Sequence, residues 1–297
     1  MGSVPQGLDL TGRVTIEGQL TIGGGAFSDV YRGNYQSPNP NHRIVAIKIF
    51  RTGSQQGIDM SLAKVRQRII RESTAWASLS DPNVLPYLGY AEFEGRAALI
   101  SPFCSCGTII EYLATNPSAN RTALIQSIAS GLSYLHTLSK PVVHGDLKSN
   151  NILVDEHKCV RICDFGRSKV QGDDAMYLTA LVAGSSCYMA PELHPELEGA
   201  DSESEPEPAD GVGVPFSLQS DVYAVGIVFF EVLTGLTPYR KGLLDAQIIP
   251  YVKKGGRPLR TRDTDKRISD EMWALMEKCW KQDSRERPTM QQVMQSL

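Results

Sequence analysis

Hydrophobic and polar positions keep two different periods in the two parts of this chain. Up to Gly107 the apolar residues come in short runs broken by turn residues. Leu20-Thr21-Ile22-Gly23 runs into a glycine turn, and Asp29 to Tyr35 leads out of it. Ser37-Pro38-Asn39-Pro40-Asn41 has the composition of a hairpin loop. Ile44 to Phe50 is rich in β-branched residues and predicts a strand, as do Val84 to Gly89 and Ala97 to Ile100. One helix interrupts them. Between Ser61 and Leu79, the residues Leu62, Val65, Ile69, Ile70 and Trp76 recur near helical spacing, beside the basic Lys64, Arg66, Arg68 and Arg71.

From Thr108 onward the period is helical. Thr122 to Leu138 places Ile125, Ile128, Ala129, Leu132 and Leu135 on one face. Leu218 to Gly235 is apolar on every side, as a central helix should be, although Glu231 interrupts its longest apolar run. Ser269 has the position of an N-cap, with acids behind it, for a helix reaching Trp280. Pro288-Thr289 opens a last helix. A β-rich front with one helix, followed by a helical back, is an α+β plan in two lobes.

Composition narrows this picture. With 297 residues, 41% hydrophobic and 21% charged, the chain can bury a large core. The first residues lack the basic and apolar regions of a secretory signal, and Gln6 breaks a myristoylation pattern. No apolar run approaches the ~20 residues of a membrane span. The six cysteines form no paired metal-ligand array, so reduced thiols in the cytoplasm are expected, with the nucleus also open. Net charge is −3, yet Glu196, Glu198, Asp201, Glu203, Glu205, Glu207 and Asp210 lie close together with no Lys or Arg among them. Residues 193–216 therefore read as a solvated acidic insertion, and the rest of the chain is net positive.

Four groups of residues carry candidate chemistry. Gly23-Gly24-Gly25-Ala26-Phe27-Ser28-Asp29-Val30 fits G-x-G-x-x-S-x-V after a strand. Its small residues let backbone N–H groups approach phosphate oxygens, although a glycine turn with no ligand reads equally well alone. Val45-Ala46-Ile47-Lys48 ends a strand run in a lysine that can aim at phosphates, the alternative being a snorkelling surface lysine. Such a lysine needs a carboxylate to hold it, and Glu72 on the basic helix is the candidate. His144-Gly145-Asp146-Leu147-Lys148-Ser149-Asn150-Asn151 and Asp164-Phe165-Gly166 then place two carboxylates and an amide on two neighbouring loops.

Taken together, in this order, these motifs resemble a protein kinase catalytic domain over about residues 20 to 297. Met189-Ala190-Pro191-Glu192, Cys279-Trp280 and Gly255-Gly256-Arg257-Pro258 resemble the tyrosine-kinase-like group of Ser/Thr kinases. The resemblance implies a two-lobed kinase fold: an N-terminal extension at 1–17, an N-lobe at 18–101, and a C-lobe at 102–297 carrying the acidic insertion. It implies ATP and Mg²⁺, with Mn²⁺ as an alternative, and protein substrates with Ser or Thr hydroxyls. No nucleic-acid partner is expected.

The same resemblance assigns roles. Asp146 orients the substrate hydroxyl, Lys148 neutralises the transferred phosphoryl, and Asn151 and Asp164 bind metal. Lys48 meets the α- and β-phosphates, and Glu72 holds it. Ile22, Gly23, Gly25, Ser28 and Val30 cover the nucleotide, Ala46 and Leu153 flank the adenine, Ser101 is the gatekeeper, and Pro102 and Cys104 offer hinge main chain. His144 packs, Glu192 pairs with Arg287, and Asp221 accepts backbone N–H groups of the catalytic loop. Two alternatives stand beside an active enzyme: a pseudokinase that scaffolds partners, and a small-molecule kinase. Gly145 departs from the family, which usually has Arg there. That Arg often anchors an activation-segment phosphate, so activity is expected not to need one, although Ser168, Tyr177, Thr179, Ser185 and Ser186 are available.

Overall fold

The computed structural model describes residues 8–25, 28–36, 42–55, 58–60, 62–170, 186–194, 216–239 and 244–297. The hairpin loop at 37–41, nearly all of the acidic insertion, and Tyr177, Thr179 and Ser185 lie outside the described residues. The chain divides into two compact units. One joins Met1–Gly107 to Leu153–Ser168, and the other joins Thr108–Ile152 to Lys169–Leu297.

The first unit is built on an antiparallel sheet. Its strands are β1 (Val14–Ile16), β2 (Gly23–Gly24), β3 (Ser28–Gln36) and β4 (His42–Phe50). A small hairpin follows, β5 (Gly53–Gln55) with β6 (Ile58–Met60), then helix α1 (Leu62–Ala77), β7 (Gly89–Phe93) and β8 (Arg96–Pro102). The sheet order is β1-β3-β4-β8-β7, with β2 paired to β3. The period of two along β4 sorts its side chains. Val45, Ile47 and Ile49 are at most 2% exposed and join Leu10, Val14, Ala91, Ala98 and Ile100 in one core. Ala46 and Lys48 therefore face the other side. The stretch read as an extension is built into the sheet from Leu10 onward: the Leu10 amide donates to the Tyr90 carbonyl at 2.7 Å, and the Glu92 amide to Thr11 Oγ1 at 3.1 Å. The strand expected at Val84 to Gly89 starts only at Gly89, with Val84 making a single bridge to Ile162. Pro86, which has no N–H to give, stands in the middle of the expected strand.

The second unit is helical. Its helices are α2 (Ile109–Thr115), α3 (Arg121–Thr137), α4 (Leu218–Thr234), α5 (Asp245–Lys253), α6 (Arg262–Asp265), α7 (Asp270–Cys279) and α8 (Met290–Gln295). Thr108 caps α2 in a reciprocal box with Glu111, and Ser269 caps α7 as its sequence predicts. Helix α4 is buried from Ser220 to Thr234, and α2, α3 and α7 pack around it. Each fully buried Val, Ile or Phe on it contributes roughly 1.5–3 kcal/mol. Gly226 permits the close approach of α7, since a Cβ there would stand 2.8 Å from Cys279 Cβ. Gly235 ends α4 in the left-handed conformation, at φ 68°. Val142–Val143 pairs with Lys169–Val170, and the chain runs from Val143 directly into the His144–Asn151 loop.

Candidate active site

The first unit gathers one part of the expected site on one face of its sheet. Register pairs Val30 with Lys48 and Lys48 with Leu99, and Ala46 with Ser101. Directly paired residues share a face, so Val30, Ala46, Lys48 and Ser101 all project to the same side. Ser101 is 5% exposed. Gly23 and Gly25 are exposed, Ile22 is half exposed, and Ser28 is buried. The Ile22 amide donates to Val30 at 2.8 Å and the Gly25 amide to Ser28 at 2.9 Å, which closes the glycine turn. Gly24 is required there, because a Cβ would meet the Ser28 carbonyl at 2.9 Å. Beyond Ser101, the Phe103 amide donates to the Ile44 carbonyl at 3.2 Å and the Gly107 amide to Cys104 at 3.2 Å. Leu153 is partly buried, in a short ladder of Ile152–Val154 with Val160–Ile162. Burial pushes the Cys104 thiol up to about 12, and the Cys163 thiol well up also.

Lys48 is the centre of this unit's electrostatics. Its Nζ donates to Glu72 Oε1 at 2.6 Å and to Asp164 Oδ1 at 2.7 Å. Burial opposes its charge, but the Asp164 and Glu72 carboxylates outweigh burial and hold its pKa above the ordinary lysine value. The Glu72 side chain is wholly buried, whereas that of Asp164 is 37% exposed. Asp164 is a non-glycine residue at φ 66°. Its neighbour Phe165 is 1% exposed, with its ring 5.9 Å from Trp76 of α1. Trp76 in turn lies 5.3 Å from Tyr87 and donates its indole N–H to the Leu85 carbonyl. Helix α1 is thus tied to the Asp164 loop by a salt bridge and by aromatic packing.

The second unit holds the other part. Asn151 Nδ2 donates to the Asp146 carbonyl at 2.8 Å and to Asp146 Oδ2 at 3.2 Å, and Lys148 Nζ reaches Asp146 Oδ2 at 2.8 Å. Asp221, at the start of α4, accepts the His144 amide at 2.7 Å and the Gly145 amide at 2.9 Å, as expected. His136 Nε2 lies 3.1 Å from the same carboxylate. Gly145 takes φ 75°, a conformation that costs a side chain about 1–2 kcal/mol. Its glycine therefore suits the backbone turn that brings both amides onto Asp221. Glu192 and Arg287 meet as a bidentate pair, 2.7 Å at both contacts.

Sequence reasoning missed a second carboxylate on α4. Glu231 is 9% exposed and accepts Ser149 Oγ of the catalytic loop and Tyr188 Oη, the latter at 2.7 Å. Burial raises the pKa of both Glu231 and Tyr188. The signal was Glu231 itself, since a carboxylate inside an all-apolar helix needs partners.

Comparison with known proteins accords with this geometry. The model of the family described as protein tyrosine and serine/threonine kinase matches residues 16–297. The chain is 27% identical over 280 residues to the serine/threonine-protein kinase STY46 of Arabidopsis thaliana, covering 93% of the chain and 42% of that protein. It is 32% identical over 221 residues to the probable serine/threonine-protein kinase PknB of Lactococcus lactis, covering 73% and 31%. A putative serine/threonine-protein kinase/receptor, R831 of Acanthamoeba polyphaga mimivirus, is 28% identical over 282 residues, 93% of the chain and 15% of that protein. The chain thus spans well under half the length of these relatives. Among the described residues no helix is long and apolar enough to cross a membrane. With the family model matched along nearly its whole length, the chain belongs to the protein tyrosine and serine/threonine kinase family.

Proposed function

We propose that this chain binds Mg-ATP and transfers its γ-phosphoryl group to Ser or Thr hydroxyls of protein substrates, in the cytoplasm. The observation that carries this reading is Lys48, fixed in its charged form between Glu72 and Asp164. An ammonium held this way suits the α- and β-phosphates of a nucleotide, and transfer depends on positioning and charge neutralisation more than on covalent chemistry. Ile22, Gly23, Gly25, Ser28 and Val30 would cover the nucleotide. Ala46, Ser101 and Leu153 would line the adenine site, with main-chain groups at Pro102 and Cys104 pairing its edge.

Asp164 and Asn151 fit Mg²⁺ by donor chemistry, as hard oxygen ligands that leave room for phosphates and water. The Asn151 NH₂ is committed to Asp146, which makes the amide oxygen the atom presented to a cation. Bound Mg²⁺ supplies neutralisation of phosphate charge. Asp146 orients the substrate hydroxyl and takes its proton as the hydroxyl oxygen bonds to the γ-phosphorus. The bond from that phosphorus to the ADP oxygen breaks, and Lys148 offsets the charge on the transferred group. Lys148 within Asp146-Leu147-Lys148-Ser149-Asn150-Asn151 supports Ser/Thr over Tyr as acceptor.

Incubation with radiolabelled Mg-ATP and a generic protein substrate tests this. Wild type should label Ser or Thr, and Asp164→Ala should lower transfer by about 10³-fold or more. If wild type and Asp164→Ala transfer equally little, the enzyme reading fails and a nucleotide-binding scaffold takes its place.

A further inference from the structure

Arg51 follows directly on β4 and is unused by the reading above. Its guanidinium makes three hydrogen bonds to the glycine turn. Nε donates to Asp29 Oδ2 at 2.9 Å, Nη2 to Asp29 Oδ1, and Nη1 to the Gly25 carbonyl at 3.1 Å. Gly25 ends the incoming arm of the turn and Asp29 lies on the outgoing arm, paired with Gly24 across the ladder. One planar fork therefore ties both arms to the end of the strand that carries Lys48. A bidentate Arg–carboxylate pair fixes direction as well as distance. The Arg51 side chain is 34% exposed and that of Asp29 25%, so water screens the pair only in part. The Arg51 guanidinium holds the Asp29 carboxyl below its usual range.

We propose that Arg51 and Asp29 are positioning residues for nucleotide binding. Their fork sets the glycine turn at a fixed place relative to Lys48, so that turn backbone and ammonium can meet one triphosphate without first being ordered. This rests on the ATP reading given above. Order already present in the free protein is an entropy cost that binding need not meet. The chief competing role for Arg51 is direct attraction of phosphate, and the two differ in sign. If Arg51 met the phosphates itself, Asp29 would be a rival for its charge and Asp29→Asn would tighten binding. If the pair acts as a fork, Asp29→Asn weakens binding.

The experiment titrates a fluorescent ATP analogue with Mg²⁺ into wild type, Arg51→Met, Asp29→Asn and the double variant, each checked for folding by circular dichroism. The fork predicts Kd raised by about fivefold in each single variant, and no further in the double, because all three remove one device. The KM for ATP should rise in parallel while the KM for a peptide acceptor does not move, a split that simple loss of stability would not give. Unchanged Kd in folded Arg51→Met, tighter binding in Asp29→Asn, or additive effects in the double variant would each overturn the proposal. If wild type binds no nucleotide, the ATP reading itself fails and the fork's role goes with it. Wild-type binding with unaltered variants sinks the fork alone.

Discussion

His194 stands two residues beyond Glu192 and is 4% exposed. Burial, and after it the nearby Lys253 ammonium, holds its imidazole down to about 4 from an ordinary 6.5. Above pH 6.5 both the folded and the unfolded chain leave it neutral. Between 6.5 and 4 only the unfolded chain takes up a proton, so stability falls through that window and levels off below it. The loss amounts to roughly 3 kcal/mol for this one group. Urea unfolding at pH 7 and at pH 4.5 should show a larger drop for wild type than for His194→Leu, and equal drops would refute the assignment. At this scale, what could be read from sequence was what motifs carry. Lys48, Asp146, Asn151 and Asp164 stand in contiguous patterns, and Glu192 with Arg287 follows from the family order. Arg51 and Glu231 were illegible because their partners are set by cross-strand register and by what packs on α4, neither of which a local pattern encodes.

Between elements, the Glu192–Arg287 pair joins the turn at Pro191–Leu193 to the segment before α8. The Arg287 side chain is wholly buried, its guanidinium lies 5.2 Å from the Tyr223 ring, and it also donates to the Gln219 and Lys281 carbonyls. Glu192→Ala would leave that charge buried without its carboxylate, at a cost of about 3–5 kcal/mol. A clear shift of the urea midpoint to lower concentration is expected, and a midpoint within error of wild type would show the pair to be dispensable. Most elements were legible here, because the period changes cleanly from two to 3.6. Leu62–Ala77, Arg121–Thr137, Leu218–Thr234 and Asp270–Cys279 all lie where apolar spacing and caps place them. The failures had a different origin. Leu10 and Val14 are core residues in a stretch too short to show any period, and they gain their place only by pairing with distant strands.

For the whole molecule, the open question is how activity is switched. Gly145 spends its amide on Asp221 and offers no side chain to anchor a phosphate. The Lys48–Glu72 and Lys48–Asp164 contacts stand in the unmodified chain. Phosphatase-treated protein should therefore keep most of its transfer activity in a radiolabel assay. Activity abolished by that treatment would show that some other cation reads a phosphate on this chain.

The division of the chain into interleaved units bears on its synthesis. Leu153–Ser168 belongs with the first unit, where the Ile162 amide and carbonyl bond to Asn83 and Leu85. A ribosome that has delivered the first 107 residues has therefore not delivered the whole of that unit. Its sheet must wait, with Val84 and Lys48 unpartnered, while the helices and the catalytic loop of the second unit emerge ahead of Asp164. Vectorial folding from the N-terminus, the usual order for successive domains, is closed to this chain until Ser168 has left the exit tunnel. Chaperone dependence should therefore be greatest for nascent chains halted between these two points.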